Sequence, residues 1–530
     1  MKRNSIRVLL AASAAVCLIT ATTPAAHAMK QLPAPIVQTA DGPVMGTVTD
    51  TISTFLGIPY AAPPVGDLRW MPPQPPAPWT TPLDATAFGS ECPQGTSTDE
   101  DCLFLNVYAP TKALEHARSH RYPVMVWVHG GAYWEGSGSQ FDPAKMVTTG
   151  GVIVVTINYR LGVLGFFAHP ALSAESPYGG SGNYGTMDQQ FAMRWVQDNI
   201  AAFGGNPKNV TIFGESAGGQ SMFTSLVSPT AEGLFRRAII ESGSLEPIFP
   251  TLAEAEAAGQ TFAVAVGCPD QTAACLRAAP VSTLLANQQL VFGSALLGQA
   301  ATPNLDGYVI THSVEPALSS GQFNHVPVID GTNHDEMRVY IALYFDLIFG
   351  PITPPALPGV ANLLFGSNGP AALAEYPLSD YPSPDLDIAA AYTDYLFSCN
   401  ALDADQAMAK FTTTYAYEFA DENAPPPPIG APPSFSFPYG ASHGFELPYL
   451  FDYANFSPMF TAGQQELSDK MIAAWTNFAK DGRPGEGWKR LNRSGGGFFE
   501  SLVPPKPIHE EVSAFSAYHK CSFWQSLPSE

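Results

Sequence analysis

From Tyr122 onward, short apolar runs alternate with stretches whose apolar residues recur at helical spacing. "YPVMVWVHGG" and "GVIVVTINYR" are β-rich runs, the first ended by glycines, and "NVTIFG", "FRRAIIESGS", "HVPVIDGTN" and "TTYAYEFA" repeat the theme. "DQQFAMRWVQDNIAAFGG" has a helical period and a glycine stop, "GGQSMFTSLVS" is a helix-capable stretch after the third run, and "QELSDKMIAAWTNFAKDGRPG" closes the series as an amphipathic helix. Continuous apolar strands separated by helices predict an α/β fold, with a mostly parallel sheet covered on both faces.

The third strand runs into Gly214-Glu215-Ser216-Ala217-Gly218 and then a helix. In that setting G-x-S-x-G describes a tight, strained turn that lifts a serine oxygen clear of the backbone. A serine hydroxyl alone is a weak nucleophile; it needs an imidazole to take its proton and an acid to orient the imidazole. On a strand-helix plan the three follow in the order serine, acid, histidine, on loops at the carboxyl ends of strands. "VPVIDGTNHDEM" offers Asp330, Asp335 and Glu336 just past a strand, and "YGASHGFELPY" offers His443 in a loop after "TTYAYEF". His129 and His334 are rival histidines, but neither sits in a separate loop after a later strand. "HGGA" follows the strand "VMVWV", where backbone N–H groups for an oxyanion are expected.

Composition changes this picture at three points. The chain has 530 residues, 45% of them hydrophobic, so it can bury a large core, and its formal charge of −22 excludes nucleic-acid binding through a basic surface. Residues 1–28 read as an export signal, with a basic start, an apolar stretch and a small-x-small site at Ala26-His27-Ala28, leaving 29–530 as the mature domain in an extracellular or periplasmic setting. No later segment offers an uninterrupted membrane span. Past Cys17 lie Cys92, Cys102, Cys268, Cys275, Cys399 and Cys521, an even six that predict three disulfides after export. Six cysteines admit many pairings; the short spacings favour Cys92 with Cys102 and Cys268 with Cys275, which leaves Cys399 with Cys521. No CxxC spacing supports zinc.

The chain resembles the type B carboxylesterases of the α/β-hydrolase fold, the group that includes cholinesterases and bacterial carboxylesterases. The resemblance spans nearly the whole mature chain, through "FLGIPYAAPPVGDLRW", "DEDCLFLNVYAP", "VMVWVHGGAYWEGSGS", "NYRLGVLGFF", "GNYGTMDQQFAMRWVQDNIAAFGGNPKNVTIFGESAGG", "GTNHDE", "SHGFELPYLF" and "HKCSFW". It implies a secreted serine esterase with Ser216 as nucleophile, Glu336 as acid in preference to Asp335, and His443 as base. It implies an oxyanion hole of Gly131, Ala132 and Ala217, with Ala132 where the family usually has a third glycine. It puts Glu215 in the pocket floor and makes Arg69 with Glu100, and Arg160 with Asp188, structural ion pairs. The cysteine pairing agrees with the family's pattern. The reaction implied is hydrolysis of a small-molecule ester through an acyl-enzyme, with no metal or cofactor; oligomeric state is not addressed. Choline-binding members carry an aromatic soon after the acid, whereas Met337, Arg338 and Val339 follow Glu336 here, so a quaternary-ammonium substrate is not expected. Acyl transfer or cleavage of amides or carbamates would use the same residues, and non-catalytic binding members of the family lack the serine or its partners.

Overall fold

The computed structural model describes residues 33–115, 121–243, 249–292, 302–428, 436–453, 456 and 458–527; the export signal read at 1–28 lies outside them. In chain order the strands are β1 (Ile36–Gln38), β2 (Pro43–Met45), β3 (Thr47–Val48), β4 (Ile52–Pro59), β5 (Leu83–Asp84), β6 (Phe104–Pro110) and β7 (Tyr122–Val128). They continue with β8 (Ile153–Ile157), β9 (Gly205–Glu215), β10 (Arg237–Glu241), β11 (Val328–Asn333), β12 (Thr414–Phe419), β13 (Phe498–Leu502) and β14 (Ile508–Glu511). Strands β1, β2 and β5 make a small sheet, and the other eleven form one large sheet in the order β14-β13-β12-β11-β10-β9-β7-β8-β6-β4-β3.

From β8 to β13 every neighbouring pair is parallel. The expected sheet is therefore its central part, and the margins differ: β3, β4 and β6 run antiparallel at one side and β14 at the other. The six apolar runs read in the sequence are β7 to β12. β8, β11 and β12 are buried at every position, as strands covered on both faces must be.

Alternation along the central strands feeds two cores. Val126, Val155, Ile212 and Ile240 point into one, which includes Met193 and Val196 of the helix Tyr184–Asn199. Met125, Trp127, Val154, Phe213 and Ile239 point into the other, with Trp475 and Phe478 of the helix Ala462–Asp481. That helix starts with a capping box of Thr461 and Gln464 and stops at Gly482, whose φ of 82° suits a residue without Cβ.

The chain leaves β7 for β8 on one side and then crosses to β9 on the other. Two loops consequently diverge at the carboxyl ends of β7 and β9, the place where ligands usually lie in such sheets. The disulfides join Cys92 to Cys102, Cys268 to Cys275 and Cys399 to Cys521, with Cα separations of 4.8, 5.7 and 5.1 Å. The paired thiols Cys268 and Cys275 also belong, with Asp270, to the one metal-like cluster found among the described residues. No helix among the described residues is long and apolar enough to cross a membrane.

Candidate active site

Ser216 sits between β9 and the helix Ala217–Val227, with φ 59° and ψ −123°. A non-glycine residue in this region costs on the order of 1–3 kcal/mol and persists only where its surroundings enforce it. The flanking glycines show the enforcement. A Cβ on Gly218 would lie 2.0 Å from the Val128 carbonyl oxygen, and one on Gly214 would lie 2.5 Å from the same atom. The turn is thus pressed against the end of β7, and the Ser216 N–H is tied to the Glu241 carbonyl of β10 at 2.9 Å.

The acid-bearing turn follows β11. Glu336 is fully buried, and its Oε1 accepts from the Thr332 hydroxyl at 2.8 Å and the Asn333 N–H at 2.7 Å. Its Oε2 meets His443 Nδ1 at 2.6 Å. The histidine loop is stitched onto this turn: the Asp335 N–H donates to the Ala441 carbonyl, the Ala441 N–H to Asp335 Oδ2, the His443 N–H to the Glu336 carbonyl, and Asn333 Nδ2 to the Ser442 carbonyl. Asp335 is spent on that stitching and on Arg338, which it meets at 2.7 Å. Glu336, not Asp335, reaches the imidazole.

His443 Nε2 lies 3.1 Å from Glu215 Oε1. The two atoms are not aligned for a hydrogen bond, and His443 Nε2 has no hydrogen-bond partner among the described residues. Burial pushes the imidazole pKa down, but the charges of Glu215 and Glu336 outweigh it and hold it at about 9. Burial lifts the Glu215 carboxyl to about 7 against the opposing charge of His443. The Glu336–His443 bond is therefore formed while the His443–Ser216 bond is not, a common state of such sites without substrate.

Gly131, Ala132 and Tyr133 all have positive φ, 101°, 53° and 60°. A Cβ on Gly131 would stand 2.1 Å from the Glu135 carbonyl oxygen, so this position requires glycine. The N–H groups of Gly131, Ala132 and Ala217 donate to no acceptor among the described residues. Tyr133 is buried and its hydroxyl accepts from Ser221 at 3.2 Å, while Trp134 packs on Phe292.

The rival histidines lie elsewhere. His129 is buried against Tyr159, its Nδ1 2.8 Å from the Gly130 carbonyl, and burial lowers its pKa to about 4. His334 pairs with Asp335. Arg160 and Asp188 form a buried ion pair at 2.7 Å, and Arg69 pairs with Glu100. Four neighbours escape the sequence reading. Glu241 lies beside Glu215 in the β9–β10 register and binds Trp475 Nε1 at 2.9 Å, and Glu446 binds Asn333. Tyr340 and Phe397 pack their rings 5.2 Å from His443. Tyr340 is one residue beyond Met337, Arg338 and Val339, which follow Glu336. The other three carry no local signal.

The large sheet, its flanking helices and the serine turn define an α/β-hydrolase. A solved PNB esterase superposes with a TM-score of 0.76 at 33% identity, covering 92% of this chain and 99% of its own. The carboxylesterase family profile matches residues 33–349 and 374–524. Fumonisin B1 esterase of Sphingopyxis macrogoltabida is 36% identical over 487 residues, 86% of this chain and 84% of the relative. Para-nitrobenzyl esterase of Bacillus subtilis (strain 168) is 35% identical over 472 residues, 85% and 90% of the two chains. The chain belongs to the carboxylesterase family and is a carboxylic ester hydrolase.

Proposed function

We propose that this protein cleaves small-molecule esters through an acyl-enzyme on a Ser216–His443–Glu336 triad. The observation that carries the reading is the 2.6 Å contact of Glu336 with His443 beside a serine on a strained turn. Ser216 Oγ attacks the ester carbonyl while His443 Nε2 takes its proton. Glu336 fixes the tautomer that leaves Nε2 basic and stabilises the imidazolium that forms. Negative charge develops on the former carbonyl oxygen, where the unengaged N–H groups of Gly131, Ala132 and Ala217 are the available donors. His443 then protonates the departing alcohol, and water deacylates Ser216 by the same route. Glu215, beside Nε2, sets the pH at which the imidazole becomes a base. None of these steps calls for a metal or cofactor.

The test is hydrolysis of a short-chain p-nitrophenyl ester. Ser216→Ala is expected to lower turnover roughly 10⁴- to 10⁶-fold with an unchanged melting temperature. Comparable activity in that variant would remove Ser216 from the mechanism. Residues 1–28 act as a cleaved leader in this reading, which three disulfides support, since they persist in oxidising compartments. The N-terminal sequence of the exported protein is expected to begin near Met29; an intact Met1 terminus would sink that part.

A further inference from the structure

The helical stretch that begins after Glu336 runs outward from the site to solvent. The short helix Arg338–Ile341, a wider turn over Ala342–Asp346 and the last turn Leu347–Phe349 follow one another without a break. At the inner end the Tyr340 ring lies 5.2 Å from the His443 ring, and Tyr344 stacks on Tyr340 at 5.6 Å. Ile341 and Ala342 are buried, and Leu343 and Phe345 pack against two buried clusters. At the outer end Leu347, Ile348 and Phe349 are 63, 51 and 80% exposed. Asp346 Oδ2 accepts from the Ser436 N–H at 3.1 Å and from its hydroxyl at 2.7 Å, and the Gly350 N–H donates to the Asp346 carbonyl at 2.9 Å. The last turn is thus fastened with three apolar side chains outside.

Single exposed apolar residues are ordinary, but three in a row on a fastened turn point to something that covers them. Charge narrows what that is. Between Arg338 and Glu375, Asp346 is the one charged residue, in a chain of which 14% is charged, and its carboxylate is engaged by Ser436. The stretch offers nothing to recognise an ionic partner, and the chain's formal charge of −22 opposes an anionic bilayer. We infer that Leu347, Ile348 and Phe349 form a docking tip that enters the surface of a neutral, water-insoluble ester phase, so that the protein takes aggregated esters as well as dissolved ones. This rests on the ester-hydrolase reading of the site and deepens it by naming the physical state of the substrate. Eight residues of helix separate Tyr340 from Ile348, a rise of about 12 Å, so a tip seated in the ester phase keeps the imidazole close to its surface.

Tributyrin droplets are the probe, and Leu347→Ser with Phe349→Ser is the variant; both positions are exposed, so the fold is expected to hold. Partition is read on Ser216→Ala protein, which leaves the droplets intact. That protein is expected to float with the droplets, and the double substitution is expected to weaken its partition by about 10-fold or more, the order set by withdrawing two large apolar side chains from an apolar phase. With Ser216 restored, hydrolysis of emulsified tributyrin is expected to fall by a similar factor, while kcat/KM for dissolved p-nitrophenyl acetate stays within about 2-fold. Equal partition with and without the double substitution overturns the inference. So does stronger retention on phosphatidylglycerol vesicles than on the droplets, or a dimer in analytical ultracentrifugation that the double substitution dissociates, which would assign the tip to a second copy of the chain. Ser216→Ala protein that still hydrolyses the dissolved ester sinks the triad and leaves the partition result standing, so the two failures are told apart.

Discussion

Two buried imidazoles in this chain each lie between two carboxylates, and they differ in what is left over. His519 meets Asp394 through Nδ1 at 2.5 Å and Glu418 through Nε2 at 2.8 Å, both as hydrogen bonds. His443 meets Glu336 through Nδ1 at 2.6 Å, but its Nε2 has a carboxylate nearby and no hydrogen bond. The charges around them act alike: burial pushes both imidazoles down, and the acids raise His519 to about 10 and His443 to about 9. Charge therefore does not separate them. The separation is the unspent nitrogen, left without a hydrogen bond in His443 and absent in His519. His519 is also closed in by Phe515 and Tyr518 and sits two residues before the disulfide-bonded Cys521. A saturated imidazolium is a fastening, and an unsaturated one can exchange a proton.

Replacing each histidine breaks this comparison most sharply. His443→Ala is expected to lower kcat/KM for a p-nitrophenyl ester by several orders of magnitude, about as much as Ser216→Ala. His519→Gln removes the cation and leaves Asp394 and Glu418 buried together, which is expected to cost about 3–5 kcal/mol of stability while activity per folded molecule stays within a few-fold. Denaturant unfolding and active-site titration measure the two quantities separately. A His519 variant that is fully stable but inactive would erase the distinction.

The pH dependence of stability sharpens the same contrast. The folded pKa of His519 lies above the ordinary histidine value of about 6.5, so its contribution is fully present below that pH and is lost as pH rises through about 10. Unfolding free energy of the unmodified chain is expected to decline across this window, and His519→Gln is expected to flatten the decline. Equal slopes for the two proteins would show that His519 is not held charged by its acids.

The parallel sheet and the serine turn were legible because both are written locally. Six apolar runs separated by helical periods describe β7 to β12, and the glycines at 214 and 218 announce a turn that other side chains cannot make. Glu336 and His443 needed chain order and family resemblance as well, since Asp335 stands one residue away and only the stitching of the Ala441–Ser442 loop decides between the acids. Glu241 was not legible. It reaches the serine through the register of β9 with β10, a pairing that no short window contains. Tyr340 and His519 have the same history: one lies a helical turn past a motif and the other inside the "HKCSFW" block, and both acquire meaning from partners up to 125 residues distant. The antiparallel margins β3, β4, β6 and β14 were missed for two reasons: β3 and β14 are only 2 and 4 residues long, and β4 and β6, though 8 and 7 residues long, lie ahead of the alternating series that begins at Tyr122.

The smallest expected effect tests what Glu215 does to the unspent nitrogen. Apart from burial, which acts in the opposite direction, the charge of Glu215 is the foremost influence on His443, and it raises the pKa. Glu215→Gln keeps the shape and removes the charge, so the imidazole is expected to lose its proton at lower pH. Because the proposed base works only when neutral, the rising limb of kcat/KM against pH is expected to move downward by about 1 unit, in the range for a carboxylate at such a distance. In the unmodified enzyme that limb belongs to the pair, since Glu215 itself takes up a proton near 7 and below that pH no longer holds the imidazole charged. The variant is then expected to show a simple single-proton limb where the parent shows a broader one. His519→Gln, which does not touch this site, is expected to leave the limb where it is. If Glu215→Gln leaves the limb in place as well, the carboxylate does not face Nε2 in the working enzyme, and the likeness between the two bridged histidines ends at the resting structure.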